Sequence, residues 1–296
     1  MQQARKWNDV GTIREALLRA SSFLREAGMK DPRFEAELMI RHCLGWDRTR
    51  FLTSMHEPIS QDHLQKLREL CERRMRHEPL QYLFGCQEFY GRPFAVGPGV
   101  LIPRPETEIL IEQVLLHAGR IWPASAPLQV ADIGTGSGAI AVTLACERPN
   151  WQVTTVDLSS DAIAIAAENA ERLGAAVRFL QGDLVEPLLE KGERLDILVS
   201  NPPYIPSADV EELDLEVREY EPRLALDGGE DGLDCYRRLC AALPCLLKEK
   251  ALVAYEVGIH QAQDVAALLT ASGVIDGVEI VPDLAGIERV VIGWRI

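Results

Sequence analysis

The sequence predicts an α/β protein: a mostly parallel seven-stranded sheet, covered by helices on both faces and closed by an antiparallel hairpin, preceded by a small helical bundle. Three observations carry this. From residue 128 to residue 294, apolar runs of strand length alternate with helix-length segments, a pattern that builds a parallel sheet between two helical layers. Only residues 282–288 separate the last two runs; they are too few for a crossover helix, so this pair is antiparallel and lies at the sheet edge. Residues 1–85 instead place apolar side chains at helical spacing.

Taken in order, Thr12 and Glu15 form a capping box ahead of Ile13, Leu17, Ala20, Leu24 and Ala27. Asp31 caps a second helix that opens on Pro32 and stops at Gly45. Ser60 caps a third, running through Leu64, Leu67, Leu70 and Cys71 to about His77, with Pro79 barring its continuation. Residues 86–104 change pattern: short apolar runs at 89–96 and 100–102, with glycine and proline turns, read as a β-hairpin linker. Pro105, followed by Glu106 and Glu108, opens a helix toward Leu116 and the domain that fills residues 105–296. Its strands are expected over residues 128–133, 152–156, 177–180, 195–199, 252–257, 277–281 and 289–294, and its helices over 139–147, 160–173, 233–247 and 261–271.

The 296 residues are 47% hydrophobic and 26% charged, enough for a full domain and a smaller partner. The opening residues are too polar for a signal peptide. No stretch approaches the roughly 18 apolar residues of a membrane span. A soluble, cytoplasmic protein without a membrane partner is expected. The seven cysteines are odd in number and include no CxxC pair, so they read as small buried apolar residues, not as metal ligands or disulfides, and no metal is expected. Residues 1–85 hold 15 Lys and Arg against 12 Asp and Glu, whereas residues 86–296 hold 16 against 33. So acidic a catalytic region repels a phosphate backbone, which argues against direct nucleic-acid binding.

A nucleotide-type site follows the first strand of the alternating region. Gly134-Thr135-Gly136-Ser137-Gly138 leads from that strand into a helix. Its glycines let a ligand lie against bare main chain, and the free N–H groups of the helix N-terminus favour a carboxylate. Asp157 ends the second strand, where an acid takes both hydroxyls of a ribose, and Asp183 ends the third, placed for an adenine amino group. The spacing is G-x-G-x-G and not the G-x-G-x-x-G of dinucleotide enzymes; together with the terminal hairpin it favours a methyltransferase over a dehydrogenase.

The fourth strand runs directly into Asn201-Pro202-Pro203-Tyr204. If that strand neighbours the first, Asn201 faces the same crevice as the glycine loop. These residue types suit a planar amide nitrogen, a poor nucleophile with two N–H donors. The Asn201 side-chain oxygen accepts from one and the Pro202 carbonyl from the other. The prolines lock the backbone, and the Tyr204 ring stacks on the amide plane. Pyramidalised and held in line, the nitrogen needs no histidine base.

With these residues in view, the sequence closely resembles the bacterial peptide chain release factor glutamine methyltransferases along nearly its whole length. The likeness lies in Pro79-Leu80-Gln81-Tyr82, in Phe89-Tyr90-Gly91, in the run from Pro98 through Arg104-Pro105-Glu106-Thr107 to Glu108, and in the loop from Asp132 to Gly138. It extends through Asn201 to Tyr204, through Tyr220-Glu221-Pro222-Arg223-Leu224-Ala225-Leu226, and through Gly228-Gly229-Glu230-Asp231-Gly232. The resemblance implies a helical substrate-recognition domain, a hairpin linker and a class I, Rossmann-like methyltransferase domain. It implies S-adenosyl-L-methionine as cofactor, held by Gly134, Thr135, Gly136, Ser137, Gly138, Asp157, Asp183, Leu184 and Asn201. It further implies methylation of the glutamine in the GGQ motif of release factors, gripped by Asn201, Pro202, Pro203 and Tyr204. Leu184 stands where many members carry an aromatic beside the adenine. Lys248-Glu249-Lys250 lacks the glycine turn usual before the fifth strand, and Tyr255-Glu256-Val257-Gly258 with His260 varies a common pattern.

A sister family methylates a glutamine of a ribosomal protein; the short helical entry and Pro79-Leu80-Gln81-Tyr82 favour the release factor branch. DNA amino-methyltransferases share the Asn-Pro-Pro-aromatic chemistry but need a basic groove and a target-recognition domain, neither of which this chain shows. A module that binds a nucleotide without chemistry leaves residues 201–204 unexplained.

Overall fold

The computed structural model describes Trp7 and residues 9–296. The polar opening of the chain, read above against a signal peptide, lies mostly outside the described residues. By internal contacts the chain divides into two compact units, Met1–Gly85 and Cys86–Ile296.

The first unit is helical: α1 (Ile13–Glu26), α2 (Pro32–Leu44), α3 (Arg48–Thr53), α4 (Gln61–Arg74) and α5 (Leu80–Phe84). The capping box at Thr12 and Glu15 forms as expected, an arrangement that contributes about 1 kcal/mol. Gly45 closes α2 in the left-handed conformation, and Ser60 caps α4. Asp31 makes no side-chain cap bond, so Pro32 alone marks the start of α2. α4 ends at Arg74, short of His77, which takes a left-handed φ of 64°. The sequence reading missed α3 and α5; at 6 and 5 residues neither completes two turns, too short to display a period. The core packs Ile13, Leu17, Leu24, Met39, Ile40, Phe51, Leu64 and Leu67. A buried pair crosses it, Arg74 donating to Glu35 through Nε and Nη2 at 2.8 and 2.9 Å.

The second unit begins with the antiparallel strands β1 (Cys86–Phe89) and β2 (Arg92–Ala95). Tyr90 and Gly91, with φ of 51° and 69°, form the two-residue turn whose twist suits a hairpin. Phe89 and Phe94 pack edge to face at 5.9 Å within the core of this unit. The Asn169 side chain clamps the Ala95 backbone from both sides, at 2.7 and 3.0 Å. The apolar run at 100–102 is no strand; Val100 and Ile102 are buried in an irregular segment that follows a turn.

Then follow α6 (Glu106–Ile121), β3 (Gln129–Ile133), α7 (Ala139–Glu147), β4 (Gln152–Asp157), α8 (Ser160–Leu173), β5 (Val177–Gln181), α9 (Glu186–Glu190), β6 (Leu195–Ser200), α10 (Leu215–Arg218), α11 (Asp234–Leu246), β7 (Leu247–Glu256), α12 (Ala262–Ala271), β8 (Gly277–Pro282) and β9 (Glu288–Arg295). The seven-stranded sheet has the order β5-β4-β3-β6-β7-β9-β8. β3, β4, β5, β6 and β7 are parallel, and β9 pairs antiparallel with both β7 and β8. The terminal hairpin is therefore present, with its second strand inserted against β7. β7 starts five residues earlier than the apolar run suggested, at Leu247 and not at 252. The polar Lys248-Glu249-Lys250 segment hides its beginning, and a register shift against β6 accommodates it.

The cysteines need a correction. All seven are free thiols, but only Cys71 and Cys240 are buried; Cys43, Cys86, Cys146 and Cys235 are half-buried and Cys245 is exposed. Steps of five residues carry Cys235, Cys240 and Cys245 to different sides of α11, and only the middle one meets the core. Among the described residues, no group of three or more His, Cys, Asp or Glu could hold a metal ion, and no helix is long and apolar enough to cross a membrane.

Candidate functional site

The chain moves outward from β3 to β4 to β5 and then returns to place β6 on the other side of β3. The crevice at such a reversal, beyond the carboxyl ends of the strands, is where open α/β sheets bind ligands. Ile133 pairs with Ser200, so Gly134 and Asn201 leave the sheet side by side. A cavity of about 540 Å³ opens there, within the range of small-molecule sites.

One wall is the glycine loop. Gly134, Gly136 and Gly138 have φ of 81°, 51° and 82°, a conformation that disfavours any residue with a Cβ. Gly138 also abuts α8: a Cβ there would lie 3.0 Å from that of Ala166. The loop is tied to β4 by Gly134 N donating to the Val156 carbonyl at 2.8 Å. Asp157 braces it, Oδ2 accepting from Gly136 N at 3.0 Å and Oδ1 from Ser159 N at 2.8 Å. The Thr135 hydroxyl is buried with no hydrogen-bond partner among the described residues. Behind the loop, burial pushes the Asp132 carboxyl up to about 8, against the Ala141 N–H and the Thr155 hydroxyl, which favour its charged form.

Asp183 and Leu184 both line the cavity. Asp183 differs from Asp157 in its partner: Oδ2 accepts from Arg238 of α11 at 2.7 Å, and 39% of the side chain is exposed. Leu184 takes a left-handed φ of 49°.

The opposite wall is the tetrapeptide. Asn201 and Pro203 line the cavity; Pro202 and Tyr204 are not among its lining residues. Pro202 is buried, and Tyr204 packs against the core of this unit, where burial pushes its phenol up to about 12. Asn201 Nδ2 donates to Thr107 Oγ1 of α6 at 3.3 Å. The Tyr204 carbonyl accepts from Gln261 Nε2 at 2.9 Å, and Gln261 Oε1 accepts from Gly258 N at 3.0 Å. Gly228 and Gly232 press on the same backbone. A Cβ on Gly228 would lie 2.7 Å from the Pro203 oxygen and 2.8 Å from Tyr204 Cα, and one on Gly232 would collide with the Tyr204 carbonyl.

The rim adds Arg104, paired with the buried Glu221, whose second oxygen accepts from Ile102 N at 3.3 Å. Burial raises the Glu221 carboxyl, and Arg104 opposes the shift.

The structure thus brings Gly134, Thr135, Gly136, Ser137, both acids, Leu184 and Asn201 to one cavity; Gly138 is not among its lining residues and packs instead against Ala166. Sequence reasoning missed Gln261, which carries no motif, and Arg238, which is one polar position on a helix; Glu256 sat inside a quoted segment without an assigned role. Thr107 and the glycines at 228–232 sat inside the quoted segments without an assigned role.

Comparison with known proteins follows the same division. Residues 15–85 match the family model described as the PrmC N-terminal domain, and residues 107–216 that of the methyltransferase small domain. The chain is 47% identical over 279 residues to a release factor glutamine methyltransferase of Bacillus anthracis, covering 94% of this chain and 98% of the relative. It is 46% identical over 288 residues to that of Geobacter sulfurreducens, covering 97% and 98%. Among solved structures, a methyltransferase from Pyrococcus furiosus superposes with a TM-score of 0.53 at 17% identity, over 76% of this chain and 98% of its own; that likeness is one of fold.

Proposed function

This chain belongs to the release factor glutamine methyltransferase family, and from that premise we propose that it methylates the side-chain amide nitrogen of the glutamine in the GGQ motif of a peptide chain release factor. The observation that carries the reading is the meeting of Asn201 with the left-handed glycine loop in one cavity. The cleft suits S-adenosyl-L-methionine: bare backbone at Gly134 and Gly136, a buried Thr135 hydroxyl with no partner among the described residues, and Asp157 with lone pairs left for ribose hydroxyls. When bound, the cofactor supplies an electrophilic methyl group. The rest falls to the chain. With Asn201 Nδ2 committed to Thr107, the Asn201 oxygen is free to accept one substrate N–H. The Pro202 carbonyl accepts the other, and the backbone behind it cannot turn because Gln261 and the glycines grip Tyr204. The Tyr204 ring, packed against the core and outside the cavity's lining, meets the amide plane only where the substrate reaches past that lining. Rate comes from holding the nitrogen about 3–3.5 Å from the methyl carbon in a cleft that excludes water. The nitrogen, cationic after transfer, loses its proton readily.

Mass spectrometry of a release factor incubated with the protein and cofactor tests this: the GGQ peptide should gain the mass of one methyl-for-hydrogen replacement, on glutamine. An unmodified peptide refutes it. Residues 1–85, the more basic part, are assigned to reading the protein substrate. A chain starting near Gln87 should bind cofactor normally and methylate intact release factor poorly; equal turnover by that form removes the assignment.

A further inference from the structure

Asp157 and Asp183 stand at the ends of neighbouring strands, β4 and β5, but they are held differently. Asp157 takes a backbone N–H on each oxygen, so the chain itself orients it. At Asp183 only the backbone is fixed in that way. Gly182 N donates to the Asp157 carbonyl at 3.0 Å, and Glu186 N donates to the Asp183 carbonyl at 3.1 Å. A Cβ on Gly182 would lie 2.3 Å from Pro187 Cγ, so glycine is what lets the chain turn this closely onto α9. The Asp183 carboxylate is held by a side chain: Oδ2 accepts from Arg238 Nη2 at 2.7 Å, and the same nitrogen lies 3.5 Å from Glu186 Oε1.

The pattern of α11 brings the arginine there. Tyr236, Leu239, Cys240, Leu243 and Leu246 form its buried face. Cys235 and Arg238, three positions apart and so on one face, line the cavity together with Asp183. Arg237, the next residue, pairs instead with Asp231 and Asp234 at 2.9 and 3.1 Å and is not among the lining residues. The Arg238 and Asp183 side chains are 50% and 39% exposed. A pair so open to water adds little to folding stability; it strengthens when a ligand covers it and displaces that water.

We propose that Arg238 is a positioning residue for the cofactor: by holding Oδ2 it fixes the Asp183 carboxylate and leaves Oδ1 to accept the exocyclic amino group of adenine, so that the site selects a 6-aminopurine. The inference rests on the adenine contact given to Asp183 above. A carboxylate only accepts hydrogen bonds. Adenine brings an amino group to this edge, whereas hypoxanthine brings a carbonyl oxygen, a second acceptor facing the first. Leu184 offers the base an apolar surface in the same cavity, which cannot tell the two apart. Without Arg238 the carboxylate turns freely in water and has to be ordered anew when ligand binds, a cost taken from affinity.

The test is calorimetry of the full-length protein with S-adenosyl-L-homocysteine and with its hypoxanthine counterpart, S-inosyl-L-homocysteine, neither of which turns over. The wild type should prefer the adenosyl ligand by at least about tenfold, the scale of one charge-assisted hydrogen bond. Arg238→Met keeps the apolar stem and removes the charge. It should weaken the adenosyl ligand about fivefold, as expected of a partly exposed pair, and the inosyl ligand by less than about twofold. Arg237→Met, a neighbour of the same charge, should change neither. In an Asp183→Ala background, Arg238→Met should cost nothing further, as for two residues acting through one contact. Equal losses for the two ligands would mean that Arg238 touches the ring system itself, and would overturn the proposal. So would a loss that persists without Asp183, a loss of the same size in Arg237→Met, or no loss at all. If the wild type binds the two ligands alike, the adenine contact of Asp183 falls and the inference with it. If Asp183→Ala loses the preference while Arg238→Met keeps it, only the positioning role falls. Should Arg238→Met not fold, Arg238→Ala is read in the same way.

Discussion

The two walls of the cleft are built in opposite ways. The glycine-loop wall is assembled from neighbours: a strand, a turn of left-handed glycines and a helix, braced by Asp157 from the adjoining strand. The tetrapeptide wall is four residues held from afar, by Thr107 of α6, Gln261 ahead of α12, and the glycines at 228 and 232. The first is the wall expected to bind, the second the wall expected to react. A binding surface tolerates a self-contained design, whereas the reacting surface depends on several parts of the fold being correct at once.

Removing the group proposed to hold the substrate amide should have the largest effect. Asn201→Ala is expected to lower the single-turnover rate by at least about 10²-fold, as when one preorganised group is lost where charge develops. Asn201→Asp should fall between it and wild type. Tyr204→Phe should be mild and Tyr204→Ala severe, because the ring and not the hydroxyl gives support. Next comes the support of that wall. Gly232→Ala forces a Cβ into the Tyr204 carbonyl, so turnover should drop nearly as far while calorimetry finds cofactor affinity almost unchanged. A loss of affinity equal to the loss of rate would show that the two walls are not separable.

The glycine wall should break the other way. Asp157→Ala removes charge-assisted bonds worth about 1.5–3 kcal/mol each, so cofactor affinity should fall while the rate at saturation stays close to wild type. Unchanged affinity by calorimetry would remove the ribose grip assigned to Asp157. A separate effect, on stability and not on rate or affinity, concerns Asp132. Its folded carboxyl is raised to about 8 by burial, so the folded state holds this proton more tightly than the unfolded chain does. The stability it contributes is complete below the ordinary carboxylate range and is lost as pH rises through about 8. Asp132→Asn should make the decline in unfolding free energy between about pH 5 and pH 8 shallower, as read by chemical denaturation. A steeper decline in the variant would reverse the sign argued here.

The same contrast decides what could be read in advance. α7 and α8 lie where the sequence placed them, at Ala139–Glu147 and Ser160–Leu173, because glycine turns and the cap at Ser159 bound them locally. Gly134 to Gly138 with Asp157 formed a complete local pattern. The start of β7 did not, since three charged residues masked it. Nor did Gln261, whose contact with Tyr204 spans 57 positions; no local rule links a glutamine to a carbonyl that far away. Asp183 was found, but its partner Arg238, 55 positions on, was not. Distance along the chain, more than burial or residue type, separates the parts of the site that were visible from those that were not.

The placement of β9 between β7 and β8 has a consequence for synthesis on the ribosome. The strands emerge in the order β7, β8, β9, yet β8 has no seat in the sheet until β9 has paired with β7. Until residues 288–295 have emerged, β7 remains an open edge, with unpaired N–H and C=O groups that invite wrong partners. Glu256 lies at the end of that edge, and Arg289, which faces it, arrives only with the missing strand. The strands that carry the glycine wall, β3 and β4, emerge early, while the surroundings of Asn201 are complete only with almost the whole unit. A chain cut short ahead of Glu288 is therefore left with β7 as an exposed edge beside the tetrapeptide, whereas the strands of the glycine wall keep their neighbours.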